Sequence, residues 1–203
     1  MKRQRKSHEE RKDEIIRGAL ELAGETGVKE VTAQAIADRV GIAQPTIFRH
    51  FKTRDAIFRG AMEWIANMLF GVLEGFDDTG EPADARLRKL IQRQLTLVSK
   101  QRGIPRLLLS DRLHLEDAAL KQTVRRIMAR YTAYLESILR DGVESGRFRA
   151  ELDTQATARW IAAIVQGLIM RWSIHDFGFN LEDQAPELWR FLEPALMEPR
   201  RES

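Results

Sequence analysis

The stretch Thr32–Phe51, TAQAIADRVGIAQPTIFRHF, restricts the possible folds more than any other part of this chain. It reads as two short helices joined by a tight turn. Thr32 stands where an N-cap hydroxyl accepts from an otherwise unpaired backbone N–H, opening a helix over about Ala33–Val40. Ile36, Ala37 and Val40 form an apolar stripe on it. Gly41 supplies the left-handed or strained residue of a sharp turn. A second helix opens near Gln44 or Pro45, where the missing proline N–H had no partner to lose. Ile47, Phe48 and Phe51 are expected to pack inward while Gln44, Thr46, Arg49 and His50 point elsewhere. A short donor-rich helix presented at a tight turn is the helix-turn-helix pattern. An ordinary helical hairpin with a solvated polar face has the same spacing.

The rest of the chain also reads as helix. Helix 1 is expected from Ser7 or His8 to Glu25, with Ile15, Ile16, Ala19, Leu20 and Ala23 on one face and Gly27 as its stop. Thr53 caps a fourth helix that runs to about Phe76, and Asp55 in its first turn suits the helix dipole. Asp77–Asp84 is turn chemistry. Further helices are expected over about Ala85–Lys100, Arg106–Arg112, Asp117–Glu144, Thr154–Asp176 and Leu181 or Asp183 to Met197, with a break at Gln101–Pro105. No stretch reads as a strand. The fold expected is all-α, with about nine helices. Residues 1–52 form a three-helix N-terminal domain and residues 53–203 a larger helical domain.

Charge is unevenly placed. Residues 1–52 hold 11 Lys and Arg against 8 Asp and Glu, whereas residues 53–203 hold 22 of each, so the net +3 sits with the helix-turn-helix. Lys2, Arg3, Arg5 and Lys6 form a basic arm suited to phosphate attraction, and equally to a solubilising tail. There is no cysteine, which excludes a disulfide scaffold and fits the cytoplasm. No apolar run approaches the roughly 20 residues of a membrane span, and no apolar stretch follows the basic N-terminus to make a secretory signal, so no membrane partner is expected. The four histidines, His8, His50, His114 and His175, show no metal spacing, and neither a nucleophile elbow nor a phosphate-cradling glycine loop is present. No enzyme, catalytic residue, metal or cofactor is expected.

The segment Trp160–Met170 is apolar nearly all round, so it needs neighbours on both sides. One side suits the core of its own domain. The other suits a second copy, with Trp160, Ile164 and Leu168 meeting Leu188, Trp189 and Leu192 of the last helix in a homodimer. A monomer whose last two helices satisfy each other is the alternative.

Val31-Thr32, Ile36-Ala37, Gly41-Ile42, Thr46-Ile47-Phe48, His50-Phe51-Lys52 and Thr53-Arg54-Asp55-Ala56-Ile57 together resemble the TetR/AcrR-type transcriptional regulators, over about the first quarter of the chain. Ala43, Pro45 and Phe48 depart from the usual Ser, small residue and Tyr. The resemblance implies a repressor that binds a palindromic operator in double-stranded DNA as a homodimer and is released by a small, largely apolar molecule. It places Thr32, Gln34, Gln44, Pro45, Thr46, Phe48, Arg49, His50 and Lys52 at the DNA. Gln44 and Arg49 have the right donors for base edges, Gln suiting adenine and Arg guanine, while Thr46 and His50 suit phosphates. It also implies an effector site among helices 4 to 8, for which Trp64, Met68, Asp111, His114, Gln166, Arg171 and His175 are candidates. Core packing or internal ion pairs would explain the same residues. The alternative function is a helix-turn-helix protein controlled by a protein partner, or acting without a small effector.

Overall fold

A computed structural model of the chain describes residues 7–74 and 80–198, apart from the side chains of residues 72–74. The arm Lys2, Arg3, Arg5 and Lys6, the end of helix 4 expected at Phe76, and Asp77–Thr79 of the expected break lie outside the described residues. The regular structure is helical throughout: α1 (His8–Thr26), a 3₁₀ turn (Val28–Glu30), α2 (Ala33–Val40), α3 (Gln44–His50), α4 (Arg54–Glu74), α5 (Ala83–Ser99), α6 (Gly103–Leu108), a π-helical turn (Arg112–Glu116), α7 (Ala118–Glu144), α8 (Thr154–Ile174) and α9 (Gln184–Leu196). Among the described residues no helix is long and apolar enough to cross a bilayer.

The chain divides into two compact units, each built from two separate segments. The first comprises residues up to Met68 together with Gln101–Arg125; the second comprises Leu69–Lys100 together with the residues from Arg126 on. The first unit is therefore larger than the segment 1–52 expected from the motif. The reason is packing: α6, far along the chain, lies against α1.

In the first unit, α1 starts where Ser7 accepts from the Glu10 N–H at 3.2 Å and the Glu10 carboxylate accepts from the Ser7 N–H at 2.7 Å. This reciprocal pair satisfies two donors that a helix start leaves open. Ile15, Ile16, Ala19, Leu20 and Ala23 are buried, as their spacing predicts, and meet buried Val31, Ile36, Ile47 and Phe51. Each fully buried Ile or Leu contributes roughly 1.5–3 kcal/mol. From α4, Ile57, Phe58, Ala61 and Met62 join this core. Two ion pairs tie the start of α4 to the later segment of the same unit: Asp55 with Arg112, and Arg59 with the buried Asp117 at 3.1 Å. Asp117 also caps α7, accepting from the Leu120 N–H at 2.8 Å.

Helix α6 starts three residues before the expected Arg106 and includes Gly103 and Pro105, which had read as a break. Pro105 is the third helical residue, where the N–H has no intrahelical partner, so the ring disrupts nothing.

In the second unit, α5 buries Leu87, Leu90, Ile91, Leu95 and Val98 and packs on α8 and α9. Deep in this core the Tyr131 hydroxyl donates to Gln94 Oε1, and burial pushes the phenol's pKa well above its ordinary value. The buried Asp84 carboxylate accepts from Arg147 at 2.5 and 2.7 Å in a two-pronged pair.

The expected dimer residues separate here. Leu188, Trp189 and Leu192 are only 6, 4 and 6% exposed and belong to the core of their own unit, so they cannot form an outer face. The apolar stripe of α9 was correctly periodic, but it is taken up by α5. Trp160 instead stands 70% exposed, and Ile164 and Leu168 are half-buried.

Candidate nucleic-acid interface

The interface candidate is built from α2 and α3. The Thr32 hydroxyl accepts from the Ala35 N–H at 3.1 Å, which fixes the start of α2 and leaves the hydroxyl its own proton to donate. At the other end Gly41 is left-handed (φ 70°, ψ 43°), and the Ile42 N–H reaches back to the Ala37 carbonyl at 3.0 Å. That pairing closes the last turn of α2 and aims the chain into α3. Helix α3 has only seven residues, and its N-cap position is Ala43, with no side-chain hydrogen bond there. So short a helix does not hold itself in water and takes its stability from packing. Ile47 is fully buried and Phe51 nearly so. Gly60 of α4 leaves room for the Phe51 ring: a Cβ there would lie 3.0 Å from it.

The other side of α3 faces outward. Gln44, Pro45, Phe48, Arg49 and, just beyond, Lys52 are exposed, while Thr46 and His50 are half-buried. Phe48 corrects the sequence expectation. At 48% exposure it points out with the polar residues rather than in with Ile47. Seven residues make barely two turns, and one inward face holds Ile47 and Phe51 but not a second large ring. No residue from Gln44 to Lys52 carries a carboxylate. Gln34 at the start of α2 is exposed, but its amide already donates to Asp38 at 2.7 Å.

Two features escaped sequence reasoning. His8, at the start of α1, stacks on His50 of α3 with ring centroids 4.4 Å apart and planes at 29°. Forty-two residues separate them, and no local pattern announces the contact. Arg54, just after the motif, donates to the carbonyls of Val28 and Lys29 (3.0 Å for the latter), clamping the 3₁₀ turn to the start of α4. Burial, then the neighbouring Arg112, holds its pKa below the ordinary arginine value.

Known families match this arrangement in both parts of the chain. The model for bacterial regulatory proteins of the tetR family matches residues 15–61, and the model for the tetracyclin repressor-like C-terminal domain matches residues 80–173. The chain belongs to the TetR family. Among curated relatives, the nucleoid occlusion factor SlmA of a Marinomonas species is 23% identical over 93% of this chain and 95% of its own. Among solved structures, the regulator FadR from Bacillus subtilis in complex with stearoyl-CoA is 21% identical, with a TM-score of 0.75 over 89% of this chain and 96% of that one. A regulator from Saccharomonospora viridis in complex with choline is 22% identical, with a TM-score of 0.81 over 94% of this chain and 100% of that one.

As a TetR-family member the chain is a DNA-binding transcriptional regulator and not an enzyme. Among the described residues no group of three or more His, Asp or Glu is placed to hold a metal.

The effector candidates divide between the two units. Trp64, Met68, Asp111 and His114 belong to the first unit; Gln166, Arg171 and His175 belong to the second. Trp64 is half-buried under the Arg17 guanidinium, 5.4 Å from its ring centre, and Met68 is 38% exposed. Asp111, His114, Gln166, Arg171 and His175 are exposed. His114 Nε2 lies 2.9 Å from the Leu108 carbonyl, a contact in which the ring nitrogen must donate. The buried polar pair Gln94–Tyr131 went unnoticed in the sequence. Its only signal was a glutamine among apolar residues at helical spacing.

Proposed function

We propose that this TetR-family regulator is a ligand-responsive repressor that binds a palindromic operator as a homodimer and is released by a small, largely apolar molecule. The carrying observation is the exposed apolar face of α8. Trp160 is 70%, Met170 44% and Ile174 66% exposed, and with Ile164 and Gly167 they fall on one side of the helix. A face of this kind marks an interaction surface. A second copy is its proposed occupant, because a two-fold pair of α3 helices would read half-sites one helical turn, ~34–36 Å, or a multiple apart. Phe191 of α9, 71% exposed, extends the proposed interface in place of Leu188, Trp189 and Leu192.

On this reading Gln44 and Arg49 address base edges, Pro45 and Phe48 make apolar contacts, and Thr32, Gln34, Thr46, His50 and Lys52 position the backbone. The effector is proposed to bind within the segment matched by the C-terminal domain, with Gln94 and Tyr131 as polar contacts in an apolar surround. The solved complexes of regulators of this fold with stearoyl-CoA and with choline support a small-molecule effector. The protein is proposed to act in the cytoplasm.

Release requires an effector that prefers the DNA-incompatible state, and DNA must then weaken the effector by the same factor. A second reading is a DNA-binding factor without a small-molecule effector, favoured by the nucleoid occlusion factors among the curated relatives. The deciding experiment retains genomic fragments on the purified protein at about 150 mM salt and sequences them, because non-specific binding is weak under those conditions. A recurrent palindrome is expected, and acyl-CoAs or quaternary amines are then tested for release. Enrichment without symmetry would sink the dimer reading. Simultaneous binding of DNA and every tested effector, with no mutual weakening, would favour the second reading.

A further inference from the structure

The stacked imidazoles of His8 and His50 sit where the start of α1 meets the end of α3, and the DNA reading leaves His8 unused. His50 Nδ1 is buried and has no hydrogen-bond partner among the described residues. The charged neighbours acting on this ring are all cationic: His8, Arg11 and Lys12 from α1, and Arg49 beside it on α3. Of the carboxylates in the same α1 stretch, Glu9 pairs with Lys12 at 3.1 Å, Glu14 with Arg11 at 2.5 Å, and Glu10 accepts from the Ser7 N–H at 2.7 Å. The pair thus lies in a positive setting with no carboxylate of its own to hold an imidazolium.

We propose that His8 and His50 together form a proton-linked phosphate site, so that docking α3 on DNA takes up a proton at this pair and tightens as pH falls. The proposal rests on the reading that α3 meets the DNA. Its chemistry follows from the stack. Two imidazoles at 4.4 Å disfavour carrying charge together. A backbone phosphate beside the pair would supply the missing negative charge and favour an imidazolium, which donates from both ring nitrogens. Without DNA, burial first and then the surrounding cations hold the His50 pKa below its ordinary value.

The direction of the pH effect is fixed by linkage. The bound complex holds the proton more tightly than the unbound protein. Affinity therefore rises as pH drops through the bound-state pKa, and levels off once the pair is protonated without DNA. One proton per recognition helix gives at most a tenfold gain per pH unit per helix. His8 thereby becomes a positioning residue for DNA binding, although it lies outside the helix-turn-helix.

The test uses the full chain and its operator duplex at fixed salt, between pH 6 and pH 8. Calorimetry in buffers of different ionisation enthalpy counts the protons taken up, and anisotropy gives the affinity. The His8→Gln and His50→Gln variants are compared with a His114→Gln/His175→Gln control, which accounts for every other histidine in the chain. The expected result is proton uptake and a gain of roughly threefold or more per helix from pH 7.5 to 6.5 in wild type and control. In each of the two site variants most of that gain should disappear, with thermal unfolding unchanged for His8→Gln because that side chain is exposed. Operator binding without proton uptake, or with the same pH slope in His8→Gln, overturns the proposal and leaves the DNA reading standing. Absence of operator binding at every pH overturns both.

Discussion

Gly103 lies so close to Leu20 that a Cβ built on it would sit 2.1 Å from the Leu20 carbonyl oxygen. Helix α6 therefore rests backbone-on-backbone against α1, the helix that carries the helix-turn-helix. A side chain at this point cannot be accommodated by a rotamer change, because the obstacle is main chain.

Gly103→Ala should therefore destabilise the protein at the upper end of the overpacking range, about 3 kcal/mol, seen as a fall in the thermal midpoint. Gly71 on α4 is the internal contrast. A Cβ there meets nothing within 4 Å, so Gly71→Ala should raise stability by roughly 0.5–1 kcal/mol through helix propensity alone. Equal midpoints for the two variants would mean that α6 stands off α1.

Arg49→Ala should weaken operator binding by roughly 1–3 kcal/mol and relax discrimination at one base pair. Competition between the operator and single-base variants measures both. A loss that is uniform across all sequences would place Arg49 on a phosphate instead.

Asp84→Asn probes the pair with Arg147. Hydrogen bonding from Arg147 is the main cause that holds the Asp84 carboxyl below its ordinary range. Its contribution is therefore complete above the unfolded value near pH 4 and fades as pH falls through the folded one. Because Arg147 is half exposed, the loss at pH 7 should be about 1–3 kcal/mol, between exposed and buried pairs. Urea unfolding at pH 7 and at about pH 3 should show the gap between wild type and variant narrowing in acid. A gap that is the same at both would assign the effect to packing.

Trp160→Glu combined with Ile174→Glu should convert a dimer to a monomer in sedimentation, with helix content retained. Both side chains are already exposed, so their replacement disturbs no core of the single chain. A dimer that survives the double substitution would put the interface elsewhere.

What could be read before the structure was whatever local chemistry decides. Thr32 and Gly41 act on residues within five positions of themselves, and both ends of α2 fall where their types demand. The apolar spacing of α1 likewise leads directly to its buried face. Spacing does not say which neighbour a stripe meets, which is why Leu188, Trp189 and Leu192 were given to a second chain when α5 takes them. Nor does it say how many large rings a two-turn helix can hide, hence Phe48. Gly103 looked like a breaker because its place in α6 depends on a tertiary contact with Leu20, and Pro105 because the helix start that accommodates it was expected three residues later. The His8–His50 stack depends on a chain reversal between α1 and α3 and leaves no trace in either neighbourhood.

The interrupted make-up of the first unit has a consequence for the order of events in synthesis. A chain emerges from its N-terminus onward, and domains fold as they are completed. The helix-turn-helix is finished by residue 51, yet the piece that supports it, Gln101–Arg125, follows only after 69–100. A nascent or truncated chain ending before α6 would carry every residue of the DNA-reading motif on an unfinished support. The motif is thus expected to become competent to read DNA only after the residues up to Arg125 have been made.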